Sequence, residues 1–413
     1  MRLYKMELYK LCHRKSFLAG FLFVLLIGLL FFYQELQHSY CVVNGTTYTG
    51  LRAIQMNRQI TEEFKGVLTD EKIERIIEKY GFPQGAPDDY SRQKDNFLNH
   101  FIMEYASDGY NNGQDDYRPA TKTIPLRETE LGRYHEAAGM ALRLEYYIGW
   151  SLFPDTLGIL MLGASMLVLY VVSVVFSEEE QTGMKPLLFT TREGPAFGTL
   201  AKTAAAFSVS AGIWFVSVCF GLLLHITTFG IDGLGCIDGL GCIASLIVQW
   251  VFFPLPLMMQ PVGVYLAQLL LVSLLAILEL CAITICISAH CRSPFHTIVA
   301  AGIFYTLPVL GFALLQTLLA LLTLLSVRGQ TLHPGFLTLC AWFFFLLNCL
   351  LYSSPVYLLV ARDVLIEIAL IRFGTLNTGS GMTAVYTTLG IALIVLLFCT
   401  VNACRRYRRL SKI

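Results

Sequence analysis

A chain of 413 residues that is 55% hydrophobic and only 14% charged, with a formal net charge of +1, departs far from the balance of a soluble domain. It excludes a wholly water-soluble molecule. Crossing about 30 Å of hydrocarbon takes roughly 20 apolar residues, and six runs are long enough: Ser16–Tyr33, Leu157–Phe176, Thr203–Ile226, Val262–Ile287, Thr297–Val327 and Ala384–Ala403.

Ahead of the first run, residues 1–15 place Leu3, Met6, Leu8 and Leu11 on one side of a short helix whose other side is basic. That is the pattern of a helix lying on a membrane surface; a plain basic flank is the alternative. The first run ends in Phe31, Phe32 and Tyr33 rather than a small-x-small site, so it is read as a retained span and not a cleaved signal.

Residues 34–155 are polar enough to form a folded domain outside the membrane, mainly helical. In "NGTTY", Asn44–Tyr48, the Asn-Gly pair predicts a turn. In "LTDEKIERIIEKYGFP", Thr69 caps a helix, Asp70 and Glu71 suit its positive first turn, Lys79 suits its last, and Gly81 with Pro83 stops it. Ile73, Ile76, Ile77 and Tyr80 make its buried stripe. Ser91–Tyr105 and Gly132–Trp150 also read as helices. "HEAAG" at His135–Gly139 begins like a zinc-protease helix, but Gly139 stands where the second His is needed, and no catalytic residues or metal site are expected.

The second span is followed by "FSEEEQTGMKPLLFTTREGPAFGTLAK", Phe176–Lys202. Glu178, Glu179 and Glu180 carry the span into water and Gly183 allows a sharp turn. Pro186 starts a short helix, Leu187, Leu188 and Phe189 supply an apolar knob, Thr190, Thr191 and Arg192 follow, and Lys202 anchors the next span. A short helix with an apolar knob on a charged stem suits docking into a groove on a partner; a solvated loop is the alternative.

Between the third and fourth spans, Thr227–Pro261 has no Lys or Arg and holds two "IDGLGC" copies, which leave a Cys236–Cys242 disulfide open. The apolar stretches Leu246–Met259 and Phe336–Tyr352 are short or broken by Pro254 and Pro256 and read as re-entrant or interfacial pieces rather than crossings. Within the fourth span Glu279 is a candidate for a substrate path, since an intramembrane carboxylate is functional by default, with a structural hydrogen bond or a protonated resident as the blander reading. The fifteen Leu, Ile and Val residues of that span contribute about −4 to −9 kcal/mol to insertion against roughly +3 for one central charge. "SAHCRSPFH", Ser288–His296, forms a short loop. Val356–Phe373, within residues 328–382, reads as an amphipathic helix, and residues 404–413 are a basic tail. Basic residues cluster near both termini, so both are expected in the cytoplasm, which requires an even number of spans. The chain has neither a G-x-x-x-x-G-K-[ST] loop nor an intramembrane relay of acids and bases, so it is not expected to bind ATP in that way or to drive transport alone.

The Phe176–Lys202 stretch resembles the coupling region of the ABC-2 type permeases, the membrane subunits of ATP-binding-cassette transporters. Phe176, Glu178, Glu180, Gly183, Leu187, Leu188, Thr190, Thr191, Arg192 and Lys202 carry the resemblance. It implies an all-α polytopic membrane protein with six transmembrane helices in a type V exporter-like layout and a helical extracytoplasmic domain between spans one and two. It also implies that Gly183–Thr191 contacts a separate cytosolic ATPase subunit, with Glu178, Glu179, Glu180 and Arg192 fixing its pose. ATP and Mg would sit on that partner and no cofactor on this chain. The further partners implied are a second permease copy or a homologous permease and membrane lipid, without nucleic acid, in a bacterial plasma membrane. Two rival classes are a sensor or immunity protein signalling without transport and a membrane-anchored enzyme.

Overall fold

The computed structural model describes residues 2–83, 96–111, 117–118, 120–129, 132, 142–184, 187, 190, 197–232, 262–327, 346–359 and 381–409. The chain is mostly helical. Among the described residues, six helices are long and apolar enough to cross a membrane: Lys15–Gln37, Ile148–Gln181, Thr199–Phe229, Leu266–Ser288, Pro294–Leu314 and Tyr386–Tyr407. This is the architecture of a multi-pass membrane protein. Most of the helices outrun the apolar windows that predict them, because the backbone ladder continues after the side chains turn polar.

In chain order the elements are α1 (Arg2–Cys12), α2 (Lys15–Gln37), β1 (Tyr40–Val43), β2 (Thr46–Thr49), α3 (Leu51–Phe64), β3 (Gly66–Val67), α4 (Asp70–Tyr80), α5 (Phe97–Tyr105), β4 (Tyr110–Asn111), β5 (Tyr117–Arg118), a 3-10 turn Leu126–Glu128 and β6 (Arg143–Leu144). Then come α6 (Ile148–Val172), α7 (Val174–Gln181), α8 (Thr199–Phe229), α9 (Val262–Ser288), α10 (Pro294–Val327), a helical stretch over 346–352, α11 (Pro355–Leu359) and α12 (Gly381–Arg409). Two compact units result: Met1–Gly28 with Leu157–Phe220 and Leu269–Ile413, and Leu29–Thr156 with Gly221–Gln268.

The second unit contains the polar domain. β1 and β2 form an antiparallel hairpin, Tyr40 opposite Thr49 and Val43 opposite Thr46. Asn44 and Gly45 turn it with φ of 51° and 74°, the left-handed pair that matches strand twist. Helix α4 forms where its caps predict: Thr69 accepts the Lys72 N–H at 3.3 Å, and Gly81, φ 69°, donates to the Ile77 carbonyl at 2.8 Å. Ile73 and Ile76 are buried, with Phe64, Ile54, Phe101 and Leu144 in the same core. The predicted Ser91 helix starts later, at Phe97, because Asn96 and Asn99 make a reciprocal cap there; residues 91–95 lie outside the described ones. The predicted Gly132–Trp150 helix is not formed over 142–147, and residues 133–141 of it lie outside the described ones. β6 pairs with β3 instead, Leu144 opposite Gly66, and the Leu68 N–H donates to the Leu142 carbonyl at 2.8 Å. A tertiary strand partner overrides local helix preference, and helix begins at Ile148.

In the first unit, α2 and α6 approach closely at small residues. A Cβ on Gly20 would stand 2.9 Å from Leu167, and one on Gly163 3.0 Å from Val24. Ser165 and Tyr305 hydroxyls meet at 2.9 Å between α6 and α10, and Trp214 Nε1 donates to Ser273 Oγ at 2.9 Å between α8 and α9. The helical ladder of the second span is interrupted at Ser173, where neither Pro nor Gly is present. Ser288 of α9 inserts its hydroxyl, accepting from the Phe176 and Ser177 N–H groups at 3.1 Å and donating to the Ser173 carbonyl at 2.9 Å. An inserted side chain in the helical ladder is a sufficient cause of the break. Few of the described side chains of α2, α10 and α12 are buried, as in lipid-facing spans.

Candidate functional site

The end of the second span gathers charged and polar side chains from α1, α7, α8 and α12 and from the link between α1 and α2, all in the first unit. Glu178 and Glu179 are adjacent on α7, so they point about 100° apart around the helix and find different partners. Glu178 accepts from Arg14 Nη2 at 2.9 and 2.8 Å, and Lys10 Nζ lies 2.9 Å away. Glu179 is buried. It accepts from Lys202 at the start of α8 and from the Tyr407 hydroxyl near the end of α12. Lys202 is itself buried and also lies 5.6 Å from the Tyr407 ring centroid, while Phe176 packs on the other ring atoms at 4.4 Å between centroids. Glu7 of α1 adds a further carboxyl; burial raises it above the ordinary carboxylate value, with Lys202 and Lys10 pulling it down.

Taking a charge pair out of water costs several kcal/mol per ion, and mutual attraction repays this only with good geometry. The net stabilisation is therefore small, whereas removing one partner of such a pair typically costs about 3–5 kcal/mol. What the node supplies is position. Glu179–Lys202 joins the two ends of the segment between α7 and α8, and Lys10 of α1 and Arg14, between α1 and α2, pin its N-terminal end.

The sequence expected Glu178, Glu179 and Glu180 to stand together as a solvated stem. The structure divides them: Glu178 is half-buried, Glu179 buried and Glu180 exposed. Gly183 has φ 67° and follows the helix as its cap, as its lack of a Cβ permits. Beyond it Met184 and Leu187 are exposed, and the Thr190 hydroxyl donates to the Leu187 carbonyl at 2.7 Å, closing a turn. Leu188, Thr191 and Arg192 lie outside the described residues, as do "HEAAG", Cys236 and Cys242. Helix α1 also departs from its predicted stripe. Tyr4, Glu7, Leu8 and Leu11 turn inward, while Leu3 and Met6 are exposed beside Arg2, Lys5 and Lys10.

Glu279 is buried in α9, and its Oε2 meets no hydrogen-bond partner among the described residues. Seven residues on, Cys286 accepts from Asn402 of α12 at 3.6 Å. No three His, Cys, Asp or Glu side chains converge to hold a metal ion among the described residues.

In the second unit His225 of α8 bridges two groups of α6. Nδ1 lies 3.0 Å from the Gly149 carbonyl, to which it donates, leaving Nε2 to accept the Thr156 hydroxyl at 3.0 Å. Phe32 and Phe153 meet the ring edge-on and Phe229 stacks on it. Sequence reasoning did not name Tyr407, and it placed Ser288 only as the first residue of a loop. A Tyr amid terminal arginines and a Ser at a span end carry no periodic or motif signal. Comparison with protein-family models, curated proteins and solved structures finds no match to this chain.

Proposed function

We propose that the chain is the permease subunit of an ABC-2 type transporter, moving a substrate across a bacterial plasma membrane on ATP hydrolysed by a separate cytosolic subunit. The observation that supports this best is the Glu179–Lys202–Tyr407 node. A segment whose two ends are clamped to each other moves as one body with the spans, so force applied to its exposed Met184 and Leu187 reaches α7 and α8 rather than dissipating in a slack loop. Gly183 makes the turn that such a segment needs. On this reading the termini and the 177–202 segment face the cytoplasm and the 34–155 domain faces outward, in agreement with the distribution of Lys and Arg. The exposed apolar faces of α2, α10 and α12 meet lipid and a second permease copy. Glu279, buried with an oxygen that has no hydrogen-bond partner among the described residues, is the residue best suited to line a substrate path.

The test is mild purification of the tagged chain from its native cells with mass spectrometry of what stays bound. A near-stoichiometric protein with a phosphate-binding ATPase loop is expected, and Leu187→Asp is expected to lose it by setting a charge in the partner's apolar groove. An ATPase that remains bound to Leu187→Asp, or none bound to the unaltered chain, would refute the docking role.

A further inference from the structure

A second polar site, independent of the transport reading, lies in the other unit. Helix α8 ends at Phe229, and the chain leaves it through Gly230, whose φ of 83° and missing side chain let Arg58 lie against its backbone. Asp232 follows. Its Oδ1 stands 2.7 Å from Lys65 Nζ and its Oδ2 3.5 Å from Arg58 Nη2, and its carbonyl accepts from Trp150 Nε1 at 2.8 Å. The hydrogen bond from Lys65 holds the Asp232 carboxyl below the usual carboxylate range.

These contacts form one wall of a cleft of about 470 Å³. A stripe of α3 (Gln55, Arg58, Gln59 and Glu62), with Lys65 just past its end, forms another, closed by Tyr146. Ligand sites occupy about 300–1,000 Å³, so the space suits a small polar group. Its charges balance, Arg58 and Lys65 against Glu62 and Asp232. Two of the four are weakly committed among the described residues: the Arg58 ion pair there is the 3.5 Å contact with Asp232, at 39% exposure, and that of Glu62 is the 3.5 Å contact with Lys65, at 67% exposure. An anion alone would face Glu62 and a cation alone would face Arg58, whereas a ligand carrying both signs satisfies each. Arg58 and Glu62 stand one turn apart, about 6 Å along the helix, which suits a phosphate and an ammonium joined by two carbons. Arg58 presents a planar fork to phosphate oxygens, and Gln55 and Gln59 add amide donors. Asp232 comes three residues after the end of an apolar helix long enough to cross a membrane, and Trp150 beside it opens another, which sets the cleft at headgroup depth.

We propose that this cleft binds a phosphoethanolamine group, carried by bilayer phosphatidylethanolamine or by free ethanolamine phosphate. The full chain in detergent is incubated with equimolar phosphatidylethanolamine, phosphatidylcholine and phosphatidylglycerol of one acyl composition, then examined by native mass spectrometry. The ethanolamine lipid is expected to dominate the adducts. Arg58→Gln is expected to lower its adduct about tenfold, the loss of one charge-assisted contact, and Glu62→Gln to erase its preference over phosphatidylcholine while keeping total lipid binding. Stripping of the adduct by excess ethanolamine phosphate shows the headgroup to be sufficient, and resistance to stripping assigns the site to the bilayer lipid. Equal retention of all three lipids, or unchanged retention in both variants, overturns the proposal. Size-exclusion elution checks that Arg58→Gln folds, and the exposed Glu62 variant provides the second reading in any case.

Discussion

Asp108 shows how much one exposed carboxylate can organise when backbone donors converge on it. Its Oδ1 accepts the Thr121 and Lys122 N–H groups at 2.7 and 2.9 Å, and its Oδ2 accepts the Thr121 hydroxyl at 2.5 Å. Those donors, the hydroxyl foremost, hold its carboxyl well below the ordinary value. A carboxyl whose folded value is depressed stabilises the fold above its unfolded value, and that contribution fades as pH falls through the folded value. Hydrogen exchange at Thr121 and Lys122 should therefore be steady from neutral pH down to about pH 4 and accelerate, relative to intrinsic rates, below it. Asp108→Asn should exchange faster at neutral pH and lose that acid dependence. Cys41 shows burial acting alone: with no exposed surface, its thiol is pushed up to about 12 and behaves as a small apolar residue of the core.

Elements were legible in the sequence to the extent that their determinants were local. Helix α4 carries its own start, stripe and stop, and Thr69, Ile73, Ile76 and Gly81 all take the places their types require. The hairpin turn at Asn44–Gly45 was equally readable, because left-handed backbone needs those residues. What could not be read depends on residues far away in sequence. β6 needs β3, about 77 residues earlier by the Gly66–Val67 and Arg143–Leu144 pairing, and the break in the ladder at Ser173 needs Ser288. The local part makes a local prediction. Thr69→Ala should weaken α4 by about 1 kcal/mol, the usual cost of a lost N-cap, seen as lowered exchange protection across Asp70–Tyr80, and Thr69→Ser should restore it. Unchanged protection in the Ala variant would mean that packing of Ile73 and Ile76 alone sets the helix start.

At the scale of the whole molecule the candidate site was half legible. The sequence picked out Glu178, Glu179, Gly183 and Lys202, but spacing alone could not show that Glu179 and Lys202 turn towards each other, nor that Tyr407 near the far end of the chain joins them. Stability and pose are separable here. Removing one partner strands a buried charge, so Glu179→Leu or Lys202→Leu should each destabilise the chain by about 3–5 kcal/mol, whereas replacing both with apolar residues is often neutral or stabilising. The double variant Glu179→Leu with Lys202→Leu should therefore regain the thermal midpoint that either single change loses. If the node serves mainly to hold the 177–202 segment in one orientation, the same double variant should still fail to stimulate ATP hydrolysis by the co-purified partner, because apolar side chains pack without a fixed direction. Full stimulation by a stably folded double variant would show that the ion pair fills space and nothing more, and would move the search for the coupling contact to Met184 and Leu187.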